Sequence, residues 1–500
     1  MLEFFNITRV VALNNQLLYI PIFNVYSLLS GFLIIIATRI IYSYYNSDLY
    51  LSIIKNFIMI LIAINFILVL FKFITQFLLL QHQIAYLSVV NFTLFLFPIT
   101  FTWNLLGTSL LILCYVTSLV CISCLGDKNL FNNNLNVYFF LFFLVCTTFL
   151  VGSTNLLIIF LSFEFIFVPS LFFVYKLGYV KKVDKTIYYL LIWTLLGSFL
   201  VLFALVYLFK IVGSLELETL KSVKYSSMET ITLYSIFFIG YGVKIPLFPF
   251  HYWLTKVHVE APAGFSIFLS GFLVKTAAYC FYFITLIFSV SINKFFFILW
   301  ILISIVDSSF KMWNQLDLKK LIAFATIQEM NMILFYLLVI QQPNMTLLSV
   351  FFLMHGLLSS YMFLFVDQVQ QRTQTRSVVE LSGLNIQFPF FTKFIWVLLI
   401  LFLGFPLTVK FVIEWNLAVW LITYFHWLGL IAFAGSMIAG GLAFLKIWLG
   451  ILYGNPTPFL KQLKLSAGDV FQKDQYIIYN LIFLLSLLNF CIYIYWLNKK

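Results

Sequence analysis

Glu164, Lys244, Lys275, His355 and Glu414 are ionisable residues set in stretches that are otherwise overwhelmingly apolar. An ion surrounded by hydrocarbon is costly unless it pairs or borders water, so such groups are rare and mark ion or proton pathways. Their spread along one chain fits a relay better than a single pocket. Glu164 lies in IIFLSFEFIFVPSLFFVYKLG with no charge in the ten residues before it. Its natural partner is Lys244, equally isolated in GYGVKIPLFPFHYW. Desolvation disfavours both charges and pairing favours both, so making or breaking a Glu164–Lys244 pair would switch the lysine between holding and releasing a proton. Lys275, in LSGFLVKTAAYCFYF, supplies a second buried lysine. His355, in FFLMHGLLSSYMF, titrates near neutral pH and can pass protons through either ring nitrogen, and Glu414 gives the series a carboxylate terminus.

Supporting groups lie nearby. Lys244, His251 and His258 are spaced by seven and would share a stripe on an unbroken helix. Pro246 and Pro249 make that alignment approximate, and the two histidines are expected at a surface mouth. Asp307, Lys311, Asp317, Lys319 and Lys320 read mostly as a solvated edge between two spans, with Lys320 the one expected to enter the helix. Glu329 falls a turn or more inside the span that follows. His251, His258, Lys320 and Glu329 therefore form the expected supporting proton path. No metal-ligand spacing, phosphate-cradling glycine loop or nucleophile triad occurs, so neither metal nor cofactor is expected in this chain. Cys121 and Cys124 form a C-x-x-C within an apolar run, with no charge to activate a thiolate, and read as helix packing.

The elements that hold these residues follow from composition. A chain of 500 residues that is 63% hydrophobic and 9% charged has too little polar surface to cover a soluble globule. Its mean hydropathy of +1.06 agrees. A membrane span takes roughly 20 apolar residues, and about fourteen such runs can be drawn along the chain. They fall near 22–44, 53–79, 100–125, 136–151, 154–176, 186–210, 229–250, 261–289, 294–309, 319–341, 345–367, 391–416, 426–452 and 476–497. Uninterrupted runs of this length exclude barrel strands, which makes the fold class all-α and polytopic.

The net charge of +12 sits in short loops, a positive-inside pattern and not a nucleic-acid surface. Lys181, Lys182 and Lys185, Lys311, Lys319 and Lys320, Arg372 and Arg376, and Lys461 and Lys464 all follow odd-numbered spans. Those loops should face the compartment of insertion, and both termini the opposite side. The start, MLEFFNITRVVALNN, shows no removable signal. The abundance of Phe, Ile and Asn fits an AT-rich, organellar genome.

Two spans carry breakers. Pro246 and Pro249 interrupt the seventh beside Lys244, and Gly404 with Pro406 interrupt the twelfth ahead of Glu414. Broken helices in corresponding positions suggest two inverted five-helix repeats with sites at the midplane. The expected organisation is N-terminal helices over 1–135, a first repeat over 136–290, a second over 291–452, and a C-terminal loop with the last helix over 453–500.

The segment GVKIPLFPFHYWLTKVHVEAPAGFSIFLSGFLVKTAAY resembles the signature of the antiporter-like membrane subunits of respiratory NADH:ubiquinone oxidoreductase, complex I. FEFIFVPSLFFVYKLG, DLKKLIAFATIQEMN, HGLLSSYMFLF with QRTQTR, and GFPLTVKFVIEW extend the likeness. A glutamate instead of a lysine on the broken twelfth helix is the chain 4 pattern, as against chains 2 and 5. The resemblance implies fourteen spans with two inverted five-helix repeats, a mitochondrial inner-membrane location, and proton translocation along Glu164, Lys244, Lys275, His355 and Glu414. It implies partners in the membrane arm, including chains 2 and 5, lipids such as cardiolipin, and FMN, iron–sulfur clusters and ubiquinone held by partner subunits. Thr255, Gln370 and Glu329 depart from the usual proline, tyrosine and histidine, and Glu329 puts a carboxylate on the expected proton route. A freestanding cation/proton antiporter is the alternative. A third possibility, a scaffold that moves no ions, fits poorly with an axis whose charges all persist.

Overall fold

The computed structural model describes residues 27–28, 47–81, 89–94, 97–130, 134–177, 183–288, 294–339, 345–406 and 408–457. The expected spans near 22–44 and 476–497 lie largely or wholly outside these residues, as do Lys181, Lys182, Lys461 and Lys464. The fold is a polytopic, almost wholly helical membrane fold. Among the described residues, nine helices are long and apolar enough to cross a bilayer. Two shorter apolar helices, at Leu141–Gly152 and Pro389–Phe402, accompany them.

The chain divides into two compact units, one built from Met1–Lys244 with Lys275–Ile292 and the other from Ile245–Val274 with Asn293–Lys500. The first unit contains α1 (Ser47–Gln81), the hairpin β1 (Val89–Leu94) and β2 (Phe97–Thr102), α2 (Leu105–Leu130), α3 (Asn134–Gly152), α4 (Leu156–Leu177), α5 (Val183–Val212), the short α6 (Leu217–Ser222) and α7 (Ser227–Lys244). In lipid the outer face of a helix is as apolar as the inner, so small and hydroxylated residues mark the packed side. On α5 that side carries Thr194, Gly197, Ser198, Val201 and Ala204, while Leu195, Phe199 and Phe203 are exposed. A capping box starts α7: Ser226 receives the amide of Glu229 on its hydroxyl at 3.3 Å, and the Glu229 carboxylate accepts the Ser226 amide at 2.9 Å.

The second unit begins with the unwound stretch after Lys244. It continues through α8 (Tyr252–Glu260) and α9 (Ala263–Phe268) to a π-helical turn at Leu269–Leu273, after which the helix runs on as α10 (Val274–Ile287), whose residues from Lys275 belong to the first unit. The chain then forms α11 (Phe295–Met312), α12 (Leu318–Val339), α13 (Met345–Thr373), a single turn α14 (Leu384–Gln387), α15 (Pro389–Phe402) and α16 (Val409–Tyr453). The apolar stretches of Ala263–Ile287 and Met345–Thr373 are completely buried, and that of Leu318–Val339 nearly so. These are interior helices, which is why polar groups on them require protein or water partners.

Three departures from the sequence reading stand out. The run near 100–125 opens with a strand, because the β-branched and aromatic residues of VVNFTL and FPITFT pair antiparallel from Val89 opposite Thr102 to Leu94 opposite Phe97. The seventh span ends at Lys244, five residues before Pro249, and does not continue to residue 250. The runs 391–416 and 426–452 are divided differently: the break falls at Leu403–Thr408, and Val409–Tyr453 is one helix. Between Glu414 and Trp427 the sequence has neither glycine nor proline to stop a helix. At 1.5 Å per residue its length is ~68 Å, about twice the thickness of a hydrocarbon core.

Candidate proton-carrying sites

In the first unit α4, α5 and α7 bring Glu164, Ser198 and Lys244 together. The Lys244 ammonium donates to Glu164 Oε1 at 2.5 Å, with the lysine side chain 1% exposed and the glutamate 26%. The Ser198 hydroxyl donates to the second carboxylate oxygen, Oε2, at 2.8 Å. Phe163, one residue before the glutamate, offers its ring to Lys244 at 4.2 Å, and Phe167, a turn later, does so at 5.4 Å. Lys244 is the last residue of its helix, where the free carbonyls and the negative end of the dipole favour a cation. The pair is therefore fixed by a carboxylate, a hydroxyl, two aromatic faces and a helix terminus.

Glycines set the helix spacing at this level. A Cβ on Gly197 would stand 2.7 Å from the carbonyl oxygen of Gly240 and 3.3 Å from Lys244 Cε. Gly197→Ala is therefore expected to force α5 and α7 apart, at a cost of about 1–3 kcal/mol, and to loosen the ion pair. Thermal melting of the solubilised assembly, read against wild type, measures that cost. An unchanged midpoint would mean the helices have slack here.

Lys275, the first residue after the π turn plus one, is fully buried. π turns frequently accompany functional positions in helices. It belongs to the first unit, whereas His355, buried on α13, belongs to the second.

The second unit holds an arrangement that sequence reasoning missed. Lys410, six residues beyond Gly404 in the break, donates to Glu329 Oε1 at 2.6 Å and stands 3.5 Å from Glu414 Oε1. Lys410 and Glu329 are buried, at 7% and 6% side-chain exposure, and Glu414 is largely covered at 14%. Lys410 also donates to the carbonyl of Phe402, the last residue of α15, and lies 4.6 Å from the Phe402 ring. The carbonyl is available because the helix stops there. It stops in a Schellman geometry, with the Phe405 amide on the Ile400 carbonyl, the Gly404 amide on the Leu401 carbonyl, and Gly404 at φ +67°. Thr408 caps the start of α16 through the Phe411 amide. The i, i+4 spacing of Lys410 and Glu414 within GFPLTVKFVIEW was the signal available in the sequence.

The supporting residues require correction. His251 and His258 are buried and do not form a mouth at the surface. No stripe links them to Lys244, since helix stops at Lys244 and restarts at Tyr252. His258 stacks on Phe363 with ring centroids 4.5 Å apart. His251 Nε2 lies 3.0 Å from Lys311 Nζ and 3.5 Å from Asp307 Oδ2, while Lys311 and Asp307 pair at 2.7 Å. An ammonium cannot accept, so this geometry makes Nε2 the acceptor. The unwound backbone before His251 is anchored too: the Phe248 amide donates to Ser304, and the Trp300 indole donates to the Phe248 carbonyl at 2.5 Å. Asn331 donates to the same serine at 2.8 Å.

At the start of α12 it is Lys319, not Lys320, that turns inward. Lys319 is fully buried and donates to the Ala261 carbonyl at 3.0 Å, while Lys320 is half-buried. The reason is local. Asp317 caps the helix through the Lys319 amide and holds Arg376 at 3.0 Å, and Arg376 in turn donates to the Val259 carbonyl. Two cations thereby satisfy the carbonyls left open where α8 ends.

A family model described as NADH:quinone oxidoreductase/Mrp antiporter, transmembrane, matches residues 153–439, a stretch that contains Glu164, Lys244, Lys275, Glu329, His355, Lys410 and Glu414. NADH-ubiquinone oxidoreductase chain 4 of Paramecium tetraurelia is 36% identical over 76% of this chain and 79% of its own length. The chain 4 protein of Marchantia polymorpha is 29% identical over 66% of this chain and 68% of its own. The fold is that of a chain in the Mrp complex from Dietzia sp. DQ12-45-1b, with TM-score 0.76, 15% identity and coverage of 89% of this chain and 81% of that one. It is equally that of a chain in respiratory complex I from Thermus thermophilus, with TM-score 0.72, 18% identity and coverage of 90% and 92%. The chain belongs to the NADH:quinone oxidoreductase/Mrp antiporter family of membrane subunits.

Proposed function

We propose that this chain is a proton-translocating subunit in the membrane arm of respiratory NADH:ubiquinone oxidoreductase, in the mitochondrial inner membrane. The observation that carries the reading is the Glu164–Lys244 pair, its lysine buried beside a helix break and its carboxylate tied to Ser198. A lysine whose counter-ion can be drawn away by a neighbouring charge changes its hold on a proton without any large motion. Lys275, His355 and Glu414 are the further stations, each on a separate helix, with water carrying protons between groups beyond hydrogen-bond reach. His251, His258, Lys319 and Glu329 support the path. Likeness to chain 4 proteins, and membership of a family named for both oxidoreductase and antiporter, support the same view.

Moving one charge through the membrane potential costs roughly 2.3 kcal/mol per 100 mV, so the driving energy comes from electron transfer between NADH and ubiquinone in partner subunits. FMN and iron–sulfur clusters would sit in those partners. Neighbouring antiporter-like chains, such as chains 2 and 5, and cardiolipin would complete the surroundings. Recovery of this chain with flavin-containing and iron–sulfur subunits after mild solubilisation tests the assembly, whereas transport by the chain alone in proteoliposomes would favour a freestanding antiporter.

Lys275→Met tests the path. The apolar stem still packs, so the assembly should form and reduce quinone, while the proton-to-electron ratio in proteoliposomes falls by the contribution of this chain. A normal ratio would make Lys275 a packing residue.

A further inference from the structure

We propose that Lys410 is a proton-carrying residue that relays between Glu414 and Glu329, and that Glu329 delivers the proton to water in an adjoining cavity. The inference rests on the proton-translocating reading above and adds a station to it. Three observations carry it. The first is position: one ammonium lies 2.6 Å from one carboxylate and 3.5 Å from another, so a single nitrogen can reach both. The second is charge. With all three groups ionised the cluster carries a net charge of −1 in a buried setting, and one added proton neutralises it.

The third is the unfilled hydrogen-bonding capacity on the far side. Glu329 Oε2 is buried and receives no hydrogen bond from the protein, although Oε1 is held by Lys410. Beside it lies a cavity of about 40 Å³, lined in part by Gln328, Glu329, Lys410, Met312 and Gly440. A water needs roughly 10–15 Å³ of such space and two or more polar partners, and the Glu329 carboxylate and the Gln328 amide supply them. A carboxylate oxygen left bare inside a protein costs free energy that such a water recovers.

The step balances as three proton transfers, starting from a protonated Glu414. Lys410 gives one N–H proton to Glu329, breaking that N–H bond and forming an O–H bond on the carboxylate. The neutral amine then takes the proton of the Glu414 carboxyl group, restoring the ammonium and leaving Glu414 as carboxylate. Glu329 loses its new proton to cavity water and returns to its ionised state. The net change is one proton moved from Glu414 to the cavity. The carbonyl of Phe402 stays with Lys410 throughout and holds it between the two acids.

Arginine discriminates this relay from a static ion pair, because guanidinium keeps the charge but does not release a proton. In the intact assembly reconstituted in vesicles, Lys410→Arg is expected to retain quinone reduction and thermal stability, and to lower the proton-to-electron ratio as far as Lys275→Met does. A normal ratio in Lys410→Arg overturns the relay. Should the larger guanidinium destabilise the assembly, Glu329→Gln serves instead. It keeps Lys410 paired with Glu414 and removes only the acceptor, so the same drop is expected in a stable assembly, and a normal ratio there overturns the relay equally. If Lys275→Met lowers the ratio while both of these variants pump normally, the relay alone falls. If Lys275→Met also pumps normally, the fault lies with the proton-translocating reading itself.

Discussion

Replacing Glu164 by alanine should cost about 3–5 kcal/mol of stability, the range found when one member of a buried ion pair is removed. The loss comes less from the missing attraction than from what remains. Lys244 keeps a side chain 1% exposed, and its nearest other partners are the rings of Phe163 at 4.2 Å and Phe167 at 5.4 Å. Such contacts are worth ~0.5–2 kcal/mol and do not replace a counter-ion. The 26% exposure of Glu164 moves the expected figure toward the lower end, since the carboxylate side of the pair is not fully desolvated. Glu164→Gln keeps shape and an acceptor for the ammonium, so it should cost less, about 1–3 kcal/mol, while still uncoupling the lysine from its charge partner. Thermal melting of the whole assembly ranks the two variants. If alanine melts with wild type, Lys244 has a second route to neutralisation and the pair is not what holds it.

Much of this site was legible in the chain, and the reason is the solvent. In hydrocarbon a charge without a partner is so unfavourable that Glu164 and Lys244, each the one charge in the interior of its span, could be assigned to one another across 80 positions before any coordinates. Pro246 and Gly404 likewise announced where helices would end, because a missing donor and a left-handed residue have few other uses in a span. The same argument should have reached Lys410. It lies in the same span as Glu414, and a cation four residues before an acid shares its helix face.

Other errors arose where local pattern gives no direction. Lys319 and Lys320 are chemically identical neighbours, and the one that turns inward is selected by the Asp317 cap together with the Ala261 carbonyl, far off in sequence. The hepta-spacing of Lys244, His251 and His258 was real but rested on an unbroken helix that the prolines between them remove. Glu329 looked anomalous as a single departure on α12. It becomes intelligible once Lys410 stands 2.6 Å away, because each charge would be prohibitive without the other. A linear reading judges residues one span at a time, and a compensated pair is visible only when two spans are taken together.

Gly404→Ala should perturb the second site more than its single methyl suggests. Gly404 sits at φ +67°, where an L side chain costs roughly 1–2 kcal/mol, and this φ is what turns the chain after α15. A Cβ there would also stand 2.7 Å from Glu414 Oε2 and 3.3 Å from its Cδ. The methyl and the carboxylate cannot both keep their places. Backbone relaxation toward negative φ would open the Schellman turn and release the carbonyl of Phe402 that Lys410 engages. Movement of Glu414 would instead alter the 3.5 Å approach of Lys410. Either response adds an overpacking cost of about 1–3 kcal/mol to the backbone strain and disturbs the same three charges. The expected result is a lowered melting temperature together with a reduced proton-to-electron ratio, whereas alanine at Gly450, where a Cβ meets open space, should leave both unchanged. Normal pumping in a destabilised Gly404→Ala assembly would mean that the turn supports the fold but not the placement of Glu414.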